Sequence, residues 1–405
     1  MPTTDRPLTI TNARIFDGSA ADLVEGTIRV VDGVVVEIAS SDAGAGDGEV
    51  VDARGRVVVP GLIDAHFHAY GISLDMLAME ATPMSYVASK AAQRLGRALR
   101  RGFTTVRDVA GGDSGLRRAL DEGLIAGPRY LYTGRALSQT GGHADPRPPD
   151  LAIDLCCGHA GHTGEVVDGV DALRRAVRER FRTGAHAIKV MTSGGVMSLA
   201  DPLRVPQYSA EEVRAVTDEA TRRGSYVAAH AYSPEAIVHS VANGVRSIEH
   251  GNLLDADSAA AMAAAGAYLV PTLATYDAMD RRGGEFGLTA VGLAKNREVL
   301  DHGRTAIEIA RAAGVPVGFG TDLMGGLETE QLSGLRLQHE VDGTLDLLRA
   351  ATSVNAALLG RDDVGRIAPG AAADLIVYDD DPFETPSALW ADGGRTVIQA
   401  GRVVA

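Results

Sequence analysis

The sequence predicts an α/β protein: a (β/α)8 TIM-like barrel with a small β-sandwich domain built from both termini. Three observations carry that expectation. Between residues 61 and 360, short β-branched runs alternate with segments of helical periodicity, and eight such runs can be traced, the number that closes a barrel. Both ends of the chain lack this alternation and carry β-rich runs punctuated by glycine, as expected of strands that pair into one module. The length agrees, since 405 residues hold a barrel of about 250 residues with a smaller domain beside it. The expected division is 1–60 and 361–405 for the small domain and 61–360 for the barrel.

Taken in order, residues 8–15, 26–38 and 49–59 are the N-terminal β-rich runs, and Asp32-Gly33 inside the second is a hairpin signal. Residues 374–378 and 396–404 repeat the texture at the other end. The barrel strands are expected at 61–68, 104–108, 130–133, 187–191, 226–230, 245–250, 268–271 and 317–322. Helices are expected at 87–101, 170–183, 211–223, 257–265 and 294–313, and Ser233-Pro234 reads as an N-cap followed by proline at the first helical position.

Composition narrows the partners. Hydrophobic residues make up 45% and charged residues 23%, so the chain can bury a large core and nothing points to disorder. A net charge of −14 argues against nucleic acid or an anionic membrane surface as the main partner. The N-terminal Met1-Pro-Thr-Thr-Asp-Arg-Pro is not a signal peptide, and no apolar run reaches the roughly 20 residues of a membrane span. Cys156 and Cys157 are adjacent, which disfavours a disulfide and suits a reducing, cytoplasmic setting. The expected partners are a small-molecule substrate and further copies of the chain.

The chemistry concentrates at strand ends. In Gly61-Leu-Ile-Asp-Ala-His66-Phe-His68 the two histidines lie two apart in a strand, so both imidazoles leave one face while Phe67 leaves the other. Lys189 ends the fourth strand, His230 the fifth, His250 the sixth and Asp322 the eighth. Each alone has an ordinary account, as a satisfied polar group or a helix cap. Lys189 fits such an account least, because Ala187-Ile-Lys-Val-Met191 is nearly continuous apolar sequence and buried lysines are rare. Catalytic groups of this fold stand at the C-terminal ends of strands, so together the six point to a metal site.

These residues sit in Pro60-Gly-Leu-Ile-Asp-Ala-His-Phe-His, Ile188-Lys-Val, Ala229-His-Ala-Tyr, Ile248-Glu-His-Gly, Gly320-Thr-Asp and Ile367-Ala-Pro-Gly-Ala-Ala-Ala-Asp-Leu-Ile-Val. In combination the motifs resemble the amidohydrolase superfamily over nearly the whole chain. The resemblance implies a binuclear site with two divalent ions, usually zinc. His66, His68 and Asp322 would hold one ion and His230 and His250 the other, with Lys189 carboxylated to N6-carboxylysine and bridging both. Physical chemistry accords with it: an amine binds hard cations poorly, whereas a carbamate offers two anionic oxygens. Asp322 is placed to move a proton from the attacking water to the leaving nitrogen.

Finer resemblance, carried by Thr140-Gly-Gly-His143-Ala-Asp-Pro-Arg, Thr192-Ser-Gly-Gly-Val and His230-Ala-Tyr232, is to the prolidase-like, Xaa-Pro dipeptidase and carboxypeptidase-like branch, which also holds ochratoxin-degrading enzymes. It implies cleavage of the amide of an N-acyl amino acid or dipeptide. His143 would polarise the scissile carbonyl and Tyr232 would donate to a carboxylate or oxyanion. The alternative is a deaminase or cyclic-amide hydrolase of the imidazolonepropionase kind. Deaminases of the superfamily resemble this chain at the histidines but carry a glutamate three residues after the fifth-strand histidine, where this chain has Ser233 with Glu235 nearby.

Other candidates are weaker. Ser193-Gly194-Gly195 can turn backbone N–H groups to an anion, and Arg147 and Arg204 lie in loops where a carboxylate can be paired. His159 and His162, near the cysteines, suit a substrate-covering loop, while His186, His239, His302 and His339 read as structural.

Overall fold

The computed structural model describes residues 7–40, 48–147, 161–198 and 201–405. Five strands from the start of the chain (Leu8–Ile15, Val24–Val31, Val34–Ala39, Glu49–Asp52 and Val57–Pro60) and three from its end (Leu375–Tyr378, Arg395–Gln399 and Arg402–Val403) form one eight-stranded sheet. Leu8–Ile15 is where this sheet forks. It runs antiparallel to Val24–Val31, parallel to Glu49–Asp52 along its first half and parallel to Val57–Pro60 at its end. The fork lets the sheet close over Leu8, Ile10, Ile28, Val58, Leu375 and Ile398, the small β-sandwich expected. Asp32 and Gly33 turn the hairpin with φ of 50° and 75°, as a type I′ turn requires. Val57–Pro60 is antiparallel to Leu375–Tyr378, which stitches the two ends of the chain together just before the barrel begins.

Seven barrel strands follow: Leu62–Phe67, Phe103–Asp108, Arg129–Tyr132 continued by Ala136–Ser138, Ile188–Met191, Val227–Ala231, Ser247–His250 and Tyr268–Val270. Neighbours are parallel, and every residue of Leu62–Phe67 and Val227–Ala231 is buried, as a sheet covered on both faces demands. The third strand breaks at Gly134, which has φ of 70°. Its first half pairs with the second strand and its second half with the fourth.

The eighth strand expected at 317–322 is not a regular strand. Gly318 N donates to Leu269 O at 2.8 Å on one side, while Ala65 N donates to Phe319 O at 3.0 Å and Asp322 N to His66 O at 2.7 Å on the other. These bonds close the barrel without a continuous ladder. Glycine is the reason the segment fits, because a Cβ on Gly320 would stand 2.6 Å from the Cβ of His66.

Helices Met84–Arg100, Val170–Arg182, Ala210–Arg222 and Ala256–Ala264 lie within a turn of expectation, and Ser233 caps Pro234–Ala242 through Ala236 N. The single helix expected at 294–313 is two, Ala290–Leu300 and Gly303–Ala312. Helices Met76–Ala81, Ser114–Asp121, Leu273–Arg282 and Gln331–Arg349 were outside the sequence expectation. No helix among the described residues is long and apolar enough to cross a membrane.

Candidate active site

The C-terminal ends of the strands open into one cavity, and His66, His68, His143, Lys189, His230, Tyr232, His250 and Asp322 all line it. Strand alternation brings His66 and His68 out together, with ring centroids 5.1 Å apart. Asp322 Oδ1 lies 2.7 Å from His68 Nε2 and 3.3 Å from His66 Nε2. Ligand atoms of these three residues lie within 4.8 Å of one another.

The tautomer of His66 follows from its other nitrogen. Nδ1 is 2.7 Å from Glu249 Oε2, and an ionised carboxylate only accepts, so Nδ1 carries the proton and Nε2 presents a lone pair. Glu249 is ionised. Burial pushes its carboxyl up, but the Arg107 guanidinium 2.7 Å away and the His66 hydrogen bond pull it far below the usual range. A lone pair on His66 Nε2 and the carboxylate of Asp322 therefore face each other, an arrangement that a cation between them stabilises. Asp322 is itself held well below the usual carboxylate range: burial raises it, and the imidazoles of His66, His68 and His250 around it outweigh that.

The other three strand-end groups are deeply buried. His230 Nε2 lies 3.1 Å from the carbonyl of Gly194, which leaves Nδ1 for the cavity, and His250 Nδ1 lies 2.8 Å from Thr272 Oγ1, which leaves Nε2. Burial pushes both imidazoles well below their ordinary value, with the Lys189 ammonium adding to it and, at His250, Asp322 partly offsetting it, so both are neutral. Lys189 is 2% exposed and its ammonium has no hydrogen bond or ion pair among the described residues. Burial lowers its pKa to about 8, only partly offset by Glu249 and Asp322. Three positions at this end adopt left-handed backbone although none is glycine: His250 with φ of 74°, Thr272 with 47° and Asp322 with 55°.

His143 reaches the cavity from a turn after the broken third strand. Its ring stacks on His230 at 4.2 Å with an 18° interplanar angle, and its Nδ1 lies 2.8 Å from Ser198 Oγ. The Tyr232 hydroxyl lies 2.8 Å from that of Tyr276, and its ring stacks on His250 at 5.2 Å.

Several weaker candidates resolve differently. The N–H of Gly195 is committed to Asp201 Oδ2 at 3.1 Å and the carbonyl of Gly194 to His230, so this turn serves the protein's own groups rather than an anion. Arg204 pairs with Glu298 at 3.1 Å and does not line the cavity. Arg147 clasps Asp145 at 2.6 Å and lines an adjoining chamber. His162 ties to Glu80 and the Thr82 carbonyl, beside the helix whose Met76 and Met79 line the cavity. Cys156, Cys157 and His159 lie outside the described residues. His186 bonds the Leu359 carbonyl and His339 lies beside Thr344, both away from the cavity.

Sequence reasoning missed Arg107, Glu249, Thr272 and Tyr276. Arg107 was within reach of the argument applied to Lys189, since the strand Phe103–Asp108 is buried throughout. Glu249 stands inside a quoted motif, but its partners lie 142 and 183 residues away.

Comparison with known proteins agrees with this geometry. A model of the amidohydrolase family matches residues 57–404. An ochratoxinase of Aspergillus niger is 32% identical over 357 residues, 82% of this chain and 72% of that protein. A solved prolidase in complex with N-methylphosphonate-L-proline superposes with TM-score 0.95 at 40% identity, covering 98% of this chain and 99% of the other. A Xaa-Pro dipeptidase with methionine bound in its active site gives TM-score 0.88 at 30% identity, covering 98% and 99%. The chain belongs to the amidohydrolase family and is a hydrolase acting on amide bonds.

Proposed function

We propose that this enzyme is a binuclear metal-dependent hydrolase that frees an amino acid from an N-acyl amino acid or a dipeptide of the Xaa-Pro or carboxypeptidase type. The observation that carries the reading is a cavity holding two neutral histidines, an ionised Asp322 against His66 and His68, and a buried lysine with no hydrogen bond or ion pair among the described residues. That donor set fits two divalent cations. His66, His68 and Asp322 would hold one and His230 and His250 the other. Lys189, once carboxylated by CO₂, would offer an oxygen to each, which turns a costly buried ammonium into a ligand. When bound, such ions supply Lewis acidity and an acidified water.

The chain's own groups do the rest. Asp322 takes the proton of the attacking water and passes it to the leaving nitrogen. His143 faces the scissile amide and helps to orient it, and Tyr232 donates to a substrate carboxylate or oxyanion. The proposal includes zinc as the metal, a cytoplasmic location and assembly with further copies of the chain. Its substrate rests on the relatives, a prolidase, a Xaa-Pro dipeptidase and an ochratoxinase among them. A deaminase is not favoured: Ser233 is occupied as a helix cap, and Glu235 is exposed on the first turn of that helix.

Elemental analysis of the purified enzyme, a carbamate signal in carbon NMR under labelled CO₂, and a screen of Xaa-Pro dipeptides and N-acyl amino acids test the reading together. Two metals per chain, the carbamate and release of a free amino acid are expected. Full activity without divalent metal, or a silent screen with ammonia released from a heterocycle, overturns it.

A further inference from the structure

The sequence contains only three lysines, Lys90, Lys189 and Lys295, among 39 basic residues. Arginine serves nearly everywhere that a cation is needed, so a lysine marks a place that a guanidinium does not suit. Lys295 is such a place. It stands on helix Ala290–Leu300, and its Nζ lies 3.0 Å from the carbonyl of Gly195, 2.8 Å from that of Ser198 and 2.6 Å from that of Asp201. Three donors on one tetrahedral nitrogen match three converging carbonyls, which a planar fork does not. The Asp201 carboxylate adds an ion pair at 3.5 Å.

The loop tied by this knot carries two polar side chains that lead to His143. Asp201 is buried and accepts from Gly195 N and Gln207 Nε2 at 3.1 and 3.3 Å, and from the Ser198 hydroxyl. Burial works against its charge, but the His143 ring 3.6 Å away, the Ser198 hydroxyl and the charge of Lys295 prevail, so it is ionised. A hydroxyl has one proton. With that proton given to Asp201, Ser198 turns a lone pair to His143 Nδ1 at 2.8 Å, so Nδ1 carries the imidazole proton. The order Asp–Ser–His also rules out Ser198 as a nucleophile activated by His143, because its proton already faces a carboxylate.

The ring has little freedom to turn. It stacks on His230 at 4.2 Å and is crowded by Gly195, where a Cβ would stand 1.9 Å from His143 Cε1.

We propose that Lys295, Asp201 and Ser198 are positioning residues for His143: Lys295 fixes the loop, and the Asp201–Ser198 pair fixes the ring and its tautomer. This rests on the amide-hydrolase reading only where activity is measured; the tautomer is measured apart from it.

The test uses full-length enzyme, wild type and the variants Ser198→Ala, Ser198→Thr and Asp201→Asn, each also in a His143→Ala background. Ser198→Ala is expected to lower kcat/KM about tenfold, the worth of one net hydrogen bond, with metal content and thermal midpoint kept. Threonine restores the rate. In the His143→Ala background Ser198→Ala changes the rate less than about twofold, as coupling through one side chain requires. Nitrogen NMR of histidine-labelled protein, with the His143 signal assigned by its loss in His143→Ala, is expected to show an Nδ1–H ring that becomes a tautomer mixture in Asp201→Asn. An equal tenfold loss in both backgrounds, or an unchanged tautomer in Asp201→Asn, overturns the proposal. A wild type inactive on every amide refutes the functional reading instead, and the NMR result still decides this one. Lys295→Met and Lys295→Arg are both expected to lose the tautomer, and retention in Lys295→Arg refutes the tripod.

Discussion

Replacing Glu249 by leucine isolates the charge that braces His66. Arg107 is fully buried, with Nη2 at 2.7 and 2.8 Å from the two Glu249 oxygens, Nη1 at 3.3 Å from Ser247 Oγ and Nε donating to the Ala65 carbonyl. Burial opposes its charge, yet Glu249 prevails and its pKa is raised. In Glu249→Leu the guanidinium stays buried with neutral partners alone, and stranding one member of a buried pair costs about 3–5 kcal/mol. That is a large share of the roughly 5–15 kcal/mol that holds a domain folded. Adding Arg107→Met removes the stranded charge, so the double variant is expected to recover most of the loss. Metal binding is not expected to recover. His66 Nδ1 loses its 2.7 Å acceptor in both variants, and loss of such a partner typically weakens a metal site about 10–100-fold. Urea unfolding of metal-free protein and chelator competition with zinc measure the two effects separately. A double variant no more stable than Glu249→Leu refutes the stability argument, and wild-type zinc affinity in either variant refutes the tautomer argument.

Three further outcomes are expected. Lys189→Met should stabilise the metal-free protein by roughly 3 kcal/mol at pH 7, since it removes a buried ammonium whose pKa has fallen from 10.5 to about 8, while activity is lost; a destabilised variant in urea unfolding contradicts this. His186 falls from 6.5 to about 4 in the fold through burial. Between those values the unfolded chain binds more protons, so stability drops as pH falls from 6.5 to 4, by roughly 3 kcal/mol in all. His186→Gln should flatten that acid limb, and an unchanged slope in pH-resolved melts counts against it. Tyr232→Phe keeps the stacking on His250 and removes the hydroxyl; about a 100-fold loss in kcat is expected if it serves an oxyanion, and an unchanged kcat removes Tyr232 from the chemistry.

What could be read from the sequence followed short-range rules. Alternation placed His66 and His68 on one face, an apolar run exposed Lys189 as out of place, and the Ser233-Pro234 signal marked a helix start that the structure repeats. The features that escaped depend on long-range contacts. The segment expected as the eighth strand is held by isolated bonds to Leu269, Ala65 and His66 rather than by a ladder, which its apolar pattern does not reveal. The continuation of the third strand at Ala136–Ser138 lies beyond the break at Gly134 and is held by its pairing with the fourth strand. The Lys295 tripod joins residues 94 to 100 positions apart, and Arg107 reaches Glu249 across the barrel interior, so neither has a local pattern. The two helices read as one at 294–313 share helical composition, and only the break at Asp301 and His302 divides them.

The left-handed turns at His250, Thr272 and Asp322 have a consequence for how this enzyme responds to selection. A side chain in that conformation costs on the order of 1–2 kcal/mol relative to glycine. At three neighbouring positions the sum approaches the margin by which a domain stays folded. A library sorted only for heat resistance is therefore expected to enrich glycine at Thr272, where the hydroxyl serves His250 Nδ1 rather than the core. The survivors would outlast the parent on heating and turn over substrate more slowly. A library sorted for turnover would restore threonine at the expense of melting temperature, so the two selections pull this position in opposite directions.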